Sequence, residues 1–511
     1  MLARLVSFAI HGIDAFPVRV EVDVVDVPEA SSATWNIVGL GDMAVREARE
    51  RVRAALKNSG LALAQKRVVV NLAPADIRKE GSHLDLPMAL AALVATNRVA
   101  RPKRRIGAVG ELGLDGTLQP LPGALPLAIG AREQRMDGIL LPESNAGEAA
   151  HVEGLSVYPV RTLREAAEFL NGDRELQPMK PSDLARPGVM EQVEDLRDVK
   201  GQEGAKRALE IAAAGNHNLL FVGPPGSGKT MLARRIPGIM PPMTFAERIE
   251  ASKIHSIAGM LNGRTGLLPA RPFRAPHHSA SHVAMVGGGL VPRPGEVSLA
   301  HHGVLFLDEL PEFSRNTLEV LRQPLEDGKV LIARASTSTE FPARFLLVAA
   351  MNPTPSGYDP EIAVQGRNTA QQIQRYLSRI SGPLLDRIDM HVEVPAVKLK
   401  DLRHREAKEG SREVRERVCE ARERQLQRFK GRDGVYCNAH MTPRDLGEFC
   451  QLSAPAQEVL EAAMKRLNLS ARAYDRLRKV ARTIADLTGS DTIGPEHVSE
   501  AVGYRSLDRL G

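Results

Sequence analysis

At 511 residues the chain exceeds what a single hydrophobic core organises, so about two to four domains are expected. Its 43% hydrophobic and 25% charged residues match ordinary soluble globular protein, and no apolar run approaches the ~18 residues of a helical membrane span. A net charge of +6 permits a polyanionic partner without requiring one, and three cysteines (Cys419, Cys437, Cys450) without C-x-x-C spacing exclude a disulfide framework and a cysteine zinc site, as expected of a reducing, cytoplasmic compartment.

The first residues, MLARLVSFAIHGIDAF, hold a short apolar stretch but no small-residue cleavage site, so no secretory leader is expected. FPVRVEVDVV (16–25) sets Val18, Val20, Val22 and Val24 on one face and Arg19, Glu21 and Asp23 on the other, the period of a half-buried strand. DMAVREARERVRAAL (42–56) carries Val45, Ala48, Val52 and Ala55 at helical spacing, and KRVVVNLAP (66–74) predicts a buried strand. A second helix is predicted from about Leu86, then a hairpin-like return over 107–123. Residues 1–170 therefore read as one α+β domain. Its basic cluster RPKRR (101–105) is a solvated turn or a DNA contact.

Pro178, Pro181 and Pro187 mark residues 171–190 as a linker. Over 191–395, strand-loop-helix units (NLLFVG, GVLFLDEL, ARFLLVAAMNP) predict an α/β core with a parallel sheet. Residues 396–511 are predicted mainly helical: REVRERVCEARERQLQRF places Val414, Val418, Ala421, Leu426 and Phe429 along one stripe.

GPPGSGKT spans Gly223, Pro224, Pro225, Gly226, Ser227, Gly228, Lys229 and Thr230, between an apolar strand and a helix-compatible run. This is the setting of a phosphate-binding loop: glycines let backbone N–H groups converge on phosphate oxygens, Lys229 reaches the β- and γ-phosphates of ATP, and Thr230 ligates Mg²⁺. About 80 residues on, the strand GVLFL ends in Asp308, expected in the Mg²⁺ shell, and Glu309, expected to activate the attacking water. Asn352 closes another apolar strand, where it either orients that water or caps an Asn-Pro turn. Arg387 lies between Asp386 and Asp389, and spacing alone leaves it either a surface salt-bridge residue or an arginine finger reaching a neighbouring subunit.

The run RPFRAPHHSASHVAMVGGGLVPRPGEVSLAHHGVLFLDEL (271–310) resembles the signature of the magnesium-chelatase branch of AAA+ proteins. Together with VGLGDMAVREARERV and the tail LSARAYDRLRKVARTIADL, it makes the whole chain similar to the ComM/YifB family. The resemblance implies a Lon-protease-like N-terminal α+β domain, an AAA+ parallel-sheet core and a C-terminal helical lid. It implies an ATP-driven, hexameric DNA helicase that promotes branch migration while transforming DNA is integrated. It also implies that Arg387 is the finger and Arg472 a second-sensor arginine touching nucleotide from the lid, with Arg476 and Arg478 as alternatives. Rival activities are the ATPase subunit of a metal chelatase and a protein-remodelling ATPase.

The N-terminal domain resembles Lon's proteolytic domain through KEGSHLDLPMAL (79–90) and GELGLDGTLQPLPGAL (110–125). In that register the nucleophilic serine falls on His83, Ser82 is one place early, and PGALPLAIG (122–130) holds no lysine, so a non-peptidase scaffold is expected. His277, His278, His282, His301 and His302 invite a metal reading, although their place around the motor core favours a structural or switching role. VAMVGGGLVPRPGEV (283–297) resembles the helix-2 insert of this clade, and 325–345 a hairpin before the first-sensor strand, where Lys329 and Arg334 either grip a DNA backbone or stay on an ordinary surface. Aromatic residues are only 4% of the chain, with Trp35 the sole tryptophan, which suits sequence-independent phosphate binding better than base stacking.

Overall fold

The computed structural model describes residues 1–28, 33–63, 65–77, 79, 81–181, 194–261, 266–289, 292–333, 338–354, 370–396, 409–432, 434–467 and 469–505. Arg334 lies outside them, as does most of the second half of the 171–190 linker.

The chain opens with β1 (Leu2–His11) and β2 (Asp14–Asp26), an antiparallel hairpin with Leu2 opposite Asp23 and His11 opposite Asp14. Next come β3 (Trp35–Val38), β4 (Lys66–Ala73), β5 (Ile106–Ala108), the short hairpin β6 (Glu111–Leu112) and β7 (Leu118–Gln119), then β8 (Gly138–Pro142) and β9 (Ser156–Val160). Seven of these form one mixed sheet, ordered β3-β4-β2-β1-β5-β8-β9. Alternation in the sequence locates β2 but not β1. The reason is position: β1 lies between β2 and β5, and from Ser7 to Ala9 it is buried without interruption, so its apolar residues form a run rather than a period of two.

Helix Met43–Asn58 starts where Asp42 accepts the Val45 N–H at 2.8 Å, and it buries the predicted stripe Val45, Ala48, Val52 and Ala55. Helix Asp85–Ala95 is buried along its whole length. Its one carboxylate, Asp85, is held by the Arg51 guanidinium at 2.8 Å and accepts the Leu112 N–H, so the buried charge is paired.

The central region is built on β10 (Leu219–Val222), β11 (Phe273–Arg274), the small ribbon β12 (Gly287–Gly288) and β13 (Arg293–Pro294), β14 (Val304–Leu307), the hairpin β15 (Lys329–Ala333) and β16 (Ser338–Pro342), β17 (Leu346–Met351) and β18 (Met390–Glu393). A parallel sheet runs β11-β14-β17-β10-β18. Every residue of β10, β14 and β17 is buried, because helices cover both faces, and continuous apolar strands are what that arrangement requires.

Helices Ser411–Arg428, Pro443–Phe449, Ala454–Leu467, Ala471–Leu487 and Pro495–Gly503 form the C-terminal layer, whose Val418, Leu477 and Ile484 share one apolar core with Leu209 and Ile211. Asp486, buried inside, receives Arg428 at 2.9 Å and Arg482 at 3.0 Å. The N-terminal region meets the central one through helix Phe245–Ile257: Ser256 O accepts the Gly123 N–H at 2.9 Å, and Ser256 Oγ donates to the buried Glu148 at 2.5 Å. Among the described residues no helix is long and apolar enough to cross a membrane.

Candidate functional site at two ends of one sheet

The phosphate-loop candidates gather at the C-terminal ends of β10, β14 and β17. A Cβ on Gly223 would sit 2.1 Å from the Val394 carbonyl oxygen, so only glycine lets the loop leave β10 there. Gly228 has φ +94°, a conformation that favours glycine, and directly precedes helix Lys229–Ile239, whose free N–H groups and positive dipole end face the loop.

Lys229 Nζ donates to Gly223 O at 2.6 Å, Pro224 O at 2.9 Å and Asn352 Oδ1 at 3.2 Å. Burial pushes its pKa down, opposed by the charges of Asp308 and Glu309. Thr230 Oγ1 donates to Asp308 Oδ2 at 2.6 Å. This pair fits a hydrated Mg²⁺: the hydroxyl proton points to the carboxylate, leaving oxygen lone pairs of both groups for a hard cation or its waters. Glu309 adopts a left-handed φ of +52°, with its N–H on Asp308 Oδ1 at 3.0 Å and its side chain exposed. A non-glycine residue held there costs on the order of 1 kcal/mol, the kind of strain found where a side chain must be aimed.

Two neighbours of this site carried no signal of their own role. His278 Nδ1 is 3.4 Å from Glu309 Oε2, and its ring packs on His277 with centroids 4.0 Å apart. Tyr376 is linked to the Asn352 backbone, and burial pushes its pKa up to about 12. The run 271–310 flagged the histidines as a group, but which one meets the glutamate depends on β11 lying beside β14.

Arg387 and Arg472 are elsewhere. β18 runs parallel to β10, with Leu219 opposite Met390 and Val222 opposite Glu393. Arg387 precedes β18 and the phosphate loop follows β10, so the two sit at opposite ends of the sheet, a strand length of roughly 13 Å apart. The Arg387 partner is neither adjacent acid: Nη2 pairs with Glu326, and Nη1 donates to Pro383 O at 2.7 Å. Asp389 is instead held by Arg476 at 2.6 Å and by the Asn218 N–H at 2.9 Å.

Arg472 lines a cleft with Glu326, Asp389 and Asn218 at that same N-terminal end. Within one chain the expected second-sensor arginine, Arg472, therefore lies at the end of the sheet away from the phosphate loop. Arg476 is committed to Asp389, and Arg478 to the carbonyls of Leu446 and Cys450, whereas Arg472 is exposed and makes no hydrogen bond or ion pair with the described residues.

Glu250, His301 and His302 are placed as a metal triad would be. Their hydrogen bonds oppose that use: His301 Nδ1 accepts the Arg344 N–H at 3.0 Å, so its proton sits on Nε2, the atom facing Glu250 at 3.4 Å. An Nε2–H has no lone pair for a cation. His282 begins the short helix His282–Val286.

Lys329 pairs across its hairpin with Glu340 at 2.8 Å, both groups about half exposed. In the basic cluster, Arg101 donates to Leu2 O and Arg105 to Gln134 O, which anchors the turn. Ser82 Oγ donates to Glu111, while Lys79 Nζ turns to Gly39 O at 3.3 Å. His83 is partly buried, and burial pushes its pKa down to about 4.

Comparison with known proteins agrees with this architecture. The family described as "Magnesium chelatase, subunit ChlI" matches residues 195–402, "Subunit ChlI of Mg-chelatase" matches 20–145, and "Magnesium chelatase, subunit ChlI C-terminal" matches 408–505. Fold and site thus define a magnesium-chelatase-type AAA+ ATPase.

Along its full length the chain is 45% identical to competence protein ComM of Haemophilus influenzae, of which 98% is covered. It is 44% identical to YifB of Salmonella typhimurium, again over 98% of that protein. The chain belongs to the ComM/YifB family. The magnesium-chelatase 38 kDa subunit of Rhodobacter capsulatus is 22% identical over 61% of this chain, and Lon protease 2 of Bacillus subtilis 28% over 37%.

Proposed function

We propose that the chain is a Mg-ATP-dependent, ring-forming DNA motor, a hexamer in its working form, that promotes branch migration of recombination intermediates. The carrying observation is the division of the catalytic set: Lys229, Thr230, Asp308, Glu309 and Asn352 lie at one end of the sheet, Arg387 and Arg472 at the other. One subunit cannot bring both sets to one nucleotide. Subunits arranged head to tail can, and repeated head-to-tail contact closes into a ring.

In this reading Gly223 to Thr230 wrap the phosphates, with Pro224, Pro225, Gly226 and Ser227 shaping the loop. Thr230 and Asp308 would hold Mg²⁺, which would supply charge neutralisation for the phosphates. Glu309 takes a proton from the attacking water, Asn352 orients that water, and Arg387 and Arg472 of the adjoining subunit stabilise charge on the transferred phosphoryl group.

DNA as the substrate is supported by likeness to a competence protein and by the two hairpins. These touch: a Cβ at Gly287 in β12 would lie 3.1 Å from Ile332 Cδ1 in β15. Paired hairpins that shift with nucleotide state convert hydrolysis into movement along a phosphate backbone.

The test is ATP-dependent conversion of a synthetic four-way DNA junction by the purified protein, with Glu309→Gln as matched control. Conversion by the unmodified protein alone supports the motor. Hydrolysis without conversion, indifferent to DNA, moves the function to a chelatase or protein-remodelling ATPase. Normal hydrolysis by Glu309→Gln refutes the site assignment, since removal of a general base costs about 100-fold or more.

A further inference from the structure

Arg387 is laid against its own subunit. Its side chain is 8% exposed, Nη2 pairs with Glu326, Nη1 donates to Pro383 O, and Nε is buried with no partner among the described residues. Glu326 is 57% exposed and answers to three guanidinium groups: Arg387 first, with Arg472 and Arg322 also lowering its pKa. A guanidinium neutralised by a carboxylate offers little to a phosphoryl group, so an Arg387 that serves a neighbouring nucleotide must first give up this partner.

The position of Glu326 says what could separate them. It is the next-to-last residue of helix Arg322–Asp327, which ends at Gly328 in a left-handed turn of φ +67°. β15 begins at the following residue, Lys329, and Ala343 closes the hairpin by donating to Gly328 O at 2.8 Å. Gly328 is tightly seated, since a Cβ there would lie 2.8 Å from Arg344 Cγ. Tilting the β15–β16 hairpin therefore turns the end of the helix that carries Glu326, with no flexible stretch between to absorb the motion.

We propose that Glu326 is a positioning residue that holds the Arg387 guanidinium back, and that displacement of the β15–β16 hairpin by DNA transfers Arg387 from Glu326 to the γ-phosphate of the adjoining subunit. This rests on the reading of Arg387 as a finger acting between subunits. It adds the element that makes hydrolysis depend on DNA, through an exchange of one anionic partner for another.

The experiment measures steady-state ATP hydrolysis with and without four-way junction DNA for the full-length protein, Glu326→Gln, Glu326→Asp, Arg387→Ala and the Glu326→Gln/Arg387→Ala double variant. Assembly of each is checked by sedimentation. Glu326→Gln keeps the shape of an exposed side chain while removing its charge. Expected is a severalfold rise in DNA-free kcat at nearly constant KM for ATP, with the stimulation ratio falling toward one, and a near-normal ratio for Glu326→Asp. In the Arg387→Ala background, Glu326→Gln should change nothing.

An unchanged or lowered DNA-free kcat in Glu326→Gln overturns the proposal, as does an effect that persists without Arg387. Arg387→Ala hydrolysing like the unmodified protein is a separate result: it removes the finger reading itself.

Discussion

The Thr230 hydroxyl donates to Asp308 Oδ2 at 2.6 Å, joining the first turn of the helix after the phosphate loop to the end of β14. Residues 78 positions apart in the chain thereby form one oxygen pair suited to a hard cation.

Replacing either member should raise the Mg²⁺ concentration needed for half-maximal hydrolysis. Thr230→Ala and Asp308→Asn are each expected to shift it by roughly 10-fold or more, the scale on which loss of a metal ligand's support acts. Titrating Mg²⁺ at fixed ATP checks this, and unaltered Mg²⁺ dependence in both variants would assign the cation to other groups.

The proposed division of the site between subunits makes a complementation experiment decisive. Arg387→Ala and Lys229→Ala should each hydrolyse ATP poorly alone, with a loss of roughly 1,000-fold or more for an arginine finger. Mixed subunits should regain activity, because some interfaces then pair an intact loop with an intact finger. Mixtures no more active than their components would place Arg387 outside the reaction.

Lys329 and Glu340 form an exposed ion pair that solvent screens, so a phosphate can displace the carboxylate at little cost. Lys329→Ala should weaken junction binding across sequences and make log K less steep in log salt by about 0.9 for each phosphate that the protein no longer neutralises. Binding that ignores salt would leave the hairpin an ordinary surface.

Stability should fall in mild acid. Burial lowers His83 to about 4, and burial, with the nearby charges of Arg344 and Arg422, lowers His440 to about 3. Below the unfolded value near 6.5 the unfolded chain binds protons that these folded rings refuse, so stability is full above about pH 6.5 and declines toward pH 4. Asp389, whose carboxyl is held well below its usual range by Arg476 and His217 against the effect of burial, acts only in stronger acid, where protonation removes its contribution. Thermal unfolding at pH 7.5 and pH 5 should show a lower Tm at pH 5, and equal values would mean these histidines become solvated.

Much of the fold was legible because local pattern and burial agreed. Val18, Val20, Val22 and Val24 alternate because one face of β2 is covered, and Val45, Ala48, Val52 and Ala55 recur because one face of their helix is. The phosphate-loop motif was legible for a different reason: its eight residues are adjacent in the chain, so its requirements appear as a contiguous word. β1 escaped because its centre, Ser7 to Ala9, is buried without interruption and so loses its alternation.

By itself the sequence determined the family, the layer architecture and the contiguous half of the candidate site, since each is written in neighbouring residues or in a short period. Only the tertiary structure decided that Arg387 faces Glu326 rather than Asp386 or Asp389, that His278 rather than another histidine meets Glu309, and that Arg476 rather than Arg472 holds Asp389. Those choices depend on which strands lie side by side and on which end of the sheet the lid docks, relationships between segments 31 to 87 residues apart that no local pattern encodes.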